Sequence, residues 1–203
     1  MPRPLLFFLT CSAVALTGCQ TWPPLDPNRL PPTAALPESS VIGEVQIYYW
    51  DNIAGTSVES LTSTEAFPNN PDLMETASEL RGLTGRGDNY GSLVRGYILP
   101  PTSGLYTFSV SGDDETEFWL SPSSDASQKN RVAVVPGWTS PLDYNKYSSQ
   151  RSTAIELAAG ERYYFEIIHK EGGGGDNFSV AWEGPGLNRQ IISGQNIASY
   201  AGA

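Results

Sequence analysis

Two short runs in this 203-residue chain carry the residues best able to do chemistry. The first is Gly112-Asp113-Asp114-Glu115, which sets two carboxylates side by side at the end of an apolar-alternating segment. The second is Glu171-Gly172-Gly173-Gly174-Gly175-Asp176-Asn177, four glycines bracketed by acids and an amide. A hard cation such as Ca²⁺ takes roughly six to eight oxygens from carboxylates, side-chain amides and backbone carbonyls. A glycine loop presents carbonyls without side chains in the way. Consecutive strand residues point to opposite faces, so Asp113 and Asp114 reach one ion only if the backbone turns sharply between them, through a bulge or a cis peptide. Read separately, the acidic pair also fits a solvated turn, and the glycine run a flexible hairpin. Together they specify a cation site if the fold brings both to one end.

The remaining chemistry-bearing residues are few. His169 is the single histidine and shares strand parity with Tyr163, Phe165 and Ile167, which reads as core. Trp138 lies in Pro136-Gly137-Trp138-Thr139-Ser140-Pro141, a loop where its ring could stack on a sugar or fold back over the domain. Arg86-Gly87-Asp88 spells an integrin tripeptide but suits a turn before Asn89-Tyr90-Gly91. GxSxG, HExxH and phosphate-loop patterns are missing, and one histidine leaves little for a catalytic triad. The expectation is a binding protein rather than an enzyme.

The elements that must position these residues are strands. Val45, Ile47 and Tyr49 alternate, as do Leu93 to Leu99, Leu105 to Val110, Thr116 to Leu120, Val132 to Val135 and Ile155 to Leu157. Tyr163 to His169 and Phe178 to Trp182 read as a hairpin around the glycine run. Frequent period-two runs separated by Gly and Pro predict an all-β, antiparallel β-sandwich. One helix is expected over Asp72 to Arg81, from the spacing of Leu73, Ala77 and Leu80.

The N-terminus reads as an export signal. Arg3 precedes a dozen mostly apolar residues, Leu5 to Leu16, too short to span a membrane. Leu16-Thr17-Gly18-Cys19 resembles the bacterial lipobox, so residues 1–18 form a signal peptide and Cys19 takes the lipid. Gln20 in place of Asp implies sorting to the outer membrane of a two-membrane host, periplasmic or surface-exposed. Residues 19–42, rich in proline, form an extended tether, and residues 43–203 the folded domain. Cys11 leaves with the signal and Cys19 carries lipid, so no disulfide holds the domain. Losing Arg3 takes the net charge from −10 to −11, which argues against nucleic acid as a partner and permits a divalent cation.

Three blocks in order, RGDNYGSLVRGYILPP from Arg86, GLYTFSVSGDDETEFWLS from Gly104 and HKEGGGGDNFSVAWEGPG from His169, resemble the PA14 (protective-antigen-type) domain. The resemblance covers about Gly43 to Tyr200. It implies a β-sandwich in which sugar-binding members hold Ca²⁺ through two adjacent Asp joined by a cis peptide, matching Asp113 and Asp114. Those members add an Asn, where this chain has Glu171, and loop carbonyls near Gly173 and Gly175, with Asp176 at the loop's end. The implied partner is a glycan, contacted through Asp113, Asp114, Asn177 and Trp138. The alternative is an accessory lipoprotein that docks a protein in an envelope complex, since not every member binds sugar.

Overall fold

The computed structural model describes residues 40–201. The signal peptide, Cys19 and nearly all of the tether lie outside the described residues. Among the described residues, eleven strands form two antiparallel sheets, as the alternation predicts. In chain order they are β1 (Val45–Trp50), β2 (Leu73–Ala77), β3 (Tyr90–Ile98), β4 (Gly104–Asp113), β5 (Thr116–Leu120), β6 (Asn130–Val135), β7 (Ile155–Leu157), β8 (Tyr163–Glu171), β9 (Asn177–Gly184), β10 (Leu187–Ile191) and β11 (Ile197–Ser199). The larger sheet runs β2-β1-β3-β8-β5-β6, with β11 also on β3; the smaller runs β10-β9-β4-β7. A short helix, α1 (Val58–Thr62), lies between β1 and β2.

Alternation sorts the side chains. Val45, Ile47, Phe118, Phe165 and Ile167 from the large sheet meet Phe108, Val110, Val180 and Trp182 from the small one in the core. All nine residues of β8 are nevertheless buried. Its outer face is covered too, by a cluster of Trp50, Val58, Leu61, Leu93 and Ile168 at one end. At the other end Tyr97, Tyr164 and Ala198 cover it, with Tyr200 packed against them. A strand covered on both faces loses a clean polar alternation, which is why Lys170 and Glu171 sit in surroundings that sequence alone gives to solvent.

Two elements differ from the sequence-based expectation. Residues 72–81 are not a helix: Leu73–Ala77 form edge strand β2, paired with β1 in the register Val45↔Ala77 to Tyr49↔Leu73. Three apolar residues at helical spacing are outweighed by the backbone hydrogen bonds that β1 offers at its open edge. Nor do β8 and β9 form a hairpin. β8 pairs with β3 and β5, and β9 with β4 and β10, so the glycine run crosses from one sheet to the other. The β4–β5 link makes the same crossing, and the pairs Asp113↔Asn177 and Thr116↔His169 put both crossings at the same end.

Gly112 makes the first crossing tight. A Cβ there would lie 1.9 Å from Thr116 Oγ1 and 2.6 Å from Thr116 Cβ. The absent side chain lets β4 fold over against the start of β5. Gly112→Ala is therefore expected to destabilise the domain by about 1–3 kcal/mol in urea unfolding, the usual penalty for overpacking.

Candidate cation and ligand site

The two crossings lie side by side and are stitched together. The Asp114 N–H donates to the Lys170 carbonyl at 3.0 Å, and the Lys170 N–H donates to the Glu115 carbonyl at 3.0 Å. The Gly172 N–H donates to Asp114 Oδ2 at 3.0 Å. The Asp113–Asp114 peptide is cis, one of the two geometries that sharing an ion requires. Carboxylate oxygens of Asp113, Asp114 and Glu171 all lie within 4.8 Å of one another.

Their electrostatics are unusual. Asp113 and Asp114 are half-buried, whereas Glu171 is fully buried and neither of its oxygens has a hydrogen-bond partner. Burial first, then the charges of Asp114 and Asp113, pushes the Glu171 carboxyl up to about 8. Burial and the Asp114 charge also raise Asp113. Ionised, the group would be acceptor-only and sealed from water with nothing to accept from, which is costly. A hard divalent cation among these oxygens would remove that cost, and the donor set fits one.

The glycine loop contributes unevenly. A Cβ on Gly175 would lie 3.7 Å from Asp113 Oδ2, so this backbone lines the cluster. Gly173 lies instead against Asp88, whose Oδ1 accepts from the Gly174 N–H at 3.2 Å. Asp176 departs from its expected role as a ligand. Its carboxylate accepts from the backbone N–H groups of Gly85, Arg86 (2.7 Å) and Gly87 (3.3 Å), and from the Tyr90 hydroxyl (3.0 Å). Successive N–H groups of a turn form an anion-binding nest, and Asp176 fills it. The same turn disposes of the integrin reading: Arg86 stacks on Tyr49 and Tyr90 and pairs with Asp51 at 2.7 Å.

Asn177 is buried. Its Nδ2 donates to the Thr139 carbonyl at 3.0 Å, while its Oδ1 has no partner. That bond, with Thr139 N–H to Gly112 carbonyl at 2.6 Å, docks the 136–146 loop beside Asp113. Trp138 is carried on this loop and is 52% exposed. Lys146 Nζ lies 3.1 Å from its ring centroid and donates to its carbonyl at 2.8 Å. His169 is core, as expected. Its Nδ1 pairs with Thr116 Oγ1 at 2.9 Å, and burial pushes it down to about 3, so it stays neutral.

Two contributors escaped sequence reasoning. Lys170 is fully buried, with Nζ donating to the carbonyls of Gly55 (2.6 Å) and Glu171 (2.5 Å) and its charge felt by Asp114 and Glu171. Asp88 adds negative charge near Glu171. Neither residue carries a local signal: a lysine after a histidine on a strand reads as solvated, and Asp88 as a turn residue.

The fold and site define a β-sandwich with a cluster of three carboxyl groups where two sheet crossings meet. The chain belongs to the PA14 domain family, whose model matches residues 55–194. It is 35% identical over 165 residues to the mouse (Mus musculus) N-acetyl-beta-glucosaminyl-glycoprotein 4-beta-N-acetylgalactosaminyltransferase 1, a match covering 78% of this chain and 16% of that protein. It is 33% identical over 84 residues to mouse fibrocystin-L, covering 41% of this chain and 2% of that one. The chain thus spans a small part of these curated relatives. Among solved structures, the PA14 domain of the MpAFP antifreeze protein superposes with a TM-score of 0.59 at 16% identity, covering 81% of this chain and 94% of that one. The PA14 sugar-binding domain from an RTX adhesin gives 0.57 at 15% identity, covering 79% and 100%. The epithelial adhesin 9 A domain of Candida glabrata, in complex with Galb1-4GlcNAc, gives 0.55 at 14% identity, covering 80% and 91%.

Two expectations follow. With divalent cations chelated, the folded domain holds the Glu171 proton more tightly than the unfolded chain does, between the ordinary carboxyl value of 4.5 and about 8. Stability therefore falls as pH rises through that window, and Glu171→Gln flattens this part of the profile in urea unfolding at successive pH values. Asp176→Ala leaves the nest at Gly85 to Gly87 unfilled and is expected to cost about 2 kcal/mol or more, read by the same unfolding assay.

Proposed function

We propose that this protein is a non-catalytic, Ca²⁺-dependent carbohydrate-binding module, held at the bacterial outer membrane by lipid on Cys19. The observation that carries the reading is the Glu171 carboxylate, sealed from water without a partner beside the paired acids Asp113 and Asp114. A bound Ca²⁺ would supply the missing positive charge and leave outward coordination positions for vicinal sugar hydroxyls. Trp138, 52% exposed with Lys146 over one face of its ring, would offer the other face to the sugar. Solved structures with this fold include a PA14 domain described as sugar-binding and a fungal adhesin domain in complex with Galb1-4GlcNAc, which supports a glycan as the partner.

Each group then has a task. Asp113, Asp114 and Glu171 would hold the ion, and Gly175 keeps its approach open. Thr139 and Asn177 fix the loop that carries Trp138. Lys170 offsets one of the three negative charges from beneath. Proton transfer and covalent chemistry have no place in this scheme, because the ion's open positions and the ring face only bind.

Calorimetric titration of the chelated protein with CaCl₂ tests the reading. One site per chain is expected, with heat lost in the Asp113→Ala, Asp114→Ala double variant. A hundredfold excess over Kd stabilises the fold by about 2.7 kcal/mol, visible as a raised Tm. A glycan array probed with and without chelator should lose its signals on chelation. Absence of calcium heat, or glycan signals indifferent to chelator, sinks the proposal. Cys19→Ser should in parallel abolish metabolic labelling by palmitate and release the protein from membranes.

A further inference from the structure

Beside the carboxylate cluster lies a second concavity to which nothing above gives a role. It is a cleft of about 590 Å³, within the range of small-ligand sites. One wall is the 76–84 segment, which runs along β9 through the Gly82 N–H to Phe178 carbonyl bond of 3.0 Å. The other is the loop that carries Trp138, here represented by Pro141 and Leu142. Asn177, the residue paired with Asp113 across the β4/β9 ladder, lines it. The cleft and the cation site thus share one residue pair and one loop.

Three independent features give the cleft the character of a binding site. Leu83 and Leu142 line it while 54% and 49% exposed, large apolar side chains left in water. Leu142 has φ +63, a left-handed conformation that leucine seldom adopts. Such outliers cluster at ligand contacts, where the surroundings enforce them. Finally, Asn177 is 95% buried, and its Oδ1 is an amide acceptor without a partner. A matching ligand group brings one hydrogen-bond donor and apolar surface next to it. Charge is not called for, since Arg81, the cation nearest by sequence, is paired with Glu79 at 2.5 Å.

We infer that this cleft takes the acetamido group of a 2-acetamido sugar, as a specificity subsite for the glycan held at the carboxylates. The inference rests on the carbohydrate-binding reading above. The amide N–H supplies the donor that Asn177 Oδ1 lacks, and the acetyl methyl packs between Leu83 and Leu142. A plain hydroxyl in the same position offers a donor but no methyl for the two leucines.

The test compares N,N′-diacetylchitobiose with cellobiose, which share a β1-4 gluco skeleton and differ in the acetamido groups. With Ca²⁺ present, calorimetry should show chitobiose bound at least tenfold more tightly, and saturation-transfer NMR should place the strongest transfer on the acetyl methyls. Leu83→Ser and Leu142→Asn, the latter chosen because Asn tolerates the left-handed backbone, should each reduce the preference to threefold or less. Calcium heat and Tm should be unchanged in both, which separates a subsite effect from misfolding. Equal affinity for the two disaccharides overturns the subsite while leaving the carbohydrate reading intact. So does a preference that survives in both variants. Failure of both disaccharides to bind also overturns it, and the chelator-dependent glycan array then decides the carbohydrate reading separately.

Discussion

Mutual repulsion among Asp113, Asp114 and Glu171 is the constraint around which one end of this sandwich is built. Oxygens of the three carboxyl groups lie within 4.8 Å of one another, and one group is fully buried. At an effective dielectric constant of about 20, unit charges some 4 Å apart repel by about 4 kcal/mol. Desolvation of Glu171 adds to this. Such a cluster keeps its shape only if a proton or a cation joins it, and the rise of the Glu171 carboxyl to about 8 is the protonated solution. A divalent cation is the other. The two compete for the same oxygens, so the site is linked to pH whichever ligand follows.

What holds the acids against their repulsion is topology. Both chain segments cross between sheets at the same end, and each crossing supplies backbone hydrogen bonds to the other: Asp114 to Lys170, Lys170 to Glu115, Gly172 to Asp114. The glycines at 112 and 172 are places where a side chain would meet Thr116 or Thr56. Asp176 then fastens the far side by filling the nest at Gly85 to Gly87, which brings Asp88 alongside. The acid expected to close the ligand loop is thereby made into a strut. Its four donors leave little for a metal.

The strands that build this end were legible because period-two alternation is a local property: β1, β3, β4, β5 and β8 fall where Val45, Leu93, Tyr106, Phe118 and Phe165 indicate. The acidic pair and Glu171 were legible as well, since adjacent carboxylates before a strand and a glycine loop after one are local patterns. What failed was non-local. Whether β8 and β9 pair with each other or with β5 and β4 depends on sheet assignment, which alternation leaves open. Leu73, Ala77 and Leu80 fit a helix until β1 offers an unpaired edge. Asp176 and Asp88 owe their roles to a turn about ninety residues away in sequence, as the contacts to Gly85 and Gly174 show. Lys170 was hidden because burial of the outer sheet face comes from α1 and the 55–57 loop, which sequence periodicity did not mark.

Lys170 bears on the chief departure from the sugar-binding members that this chain resembles, Glu171 where they carry an asparagine. An added carboxylate in a buried site would ordinarily leave surplus negative charge after Ca²⁺ binds, and surplus charge in a low-dielectric pocket is destabilising. Here the neighbouring ammonium is buried too, fixed by the Gly55 and Glu171 carbonyls at 2.6 and 2.5 Å. Lys170 offsets one of the three carboxylates, while Asp88 and Asp176 add further negative charge around them and Lys146 further positive charge beside Asp113. The substitution therefore does not argue against a cation; it exchanges a neutral ligand for a charged one with its counter-charge built into the adjacent strand position. Under the proposed reading, such a site would hold its ion through three anionic donors, one of them already offset from the adjacent strand position. Discrimination among sugars would then fall to the apolar surfaces of Trp138, Leu83 and Leu142 rather than to the charge of the acidic cluster.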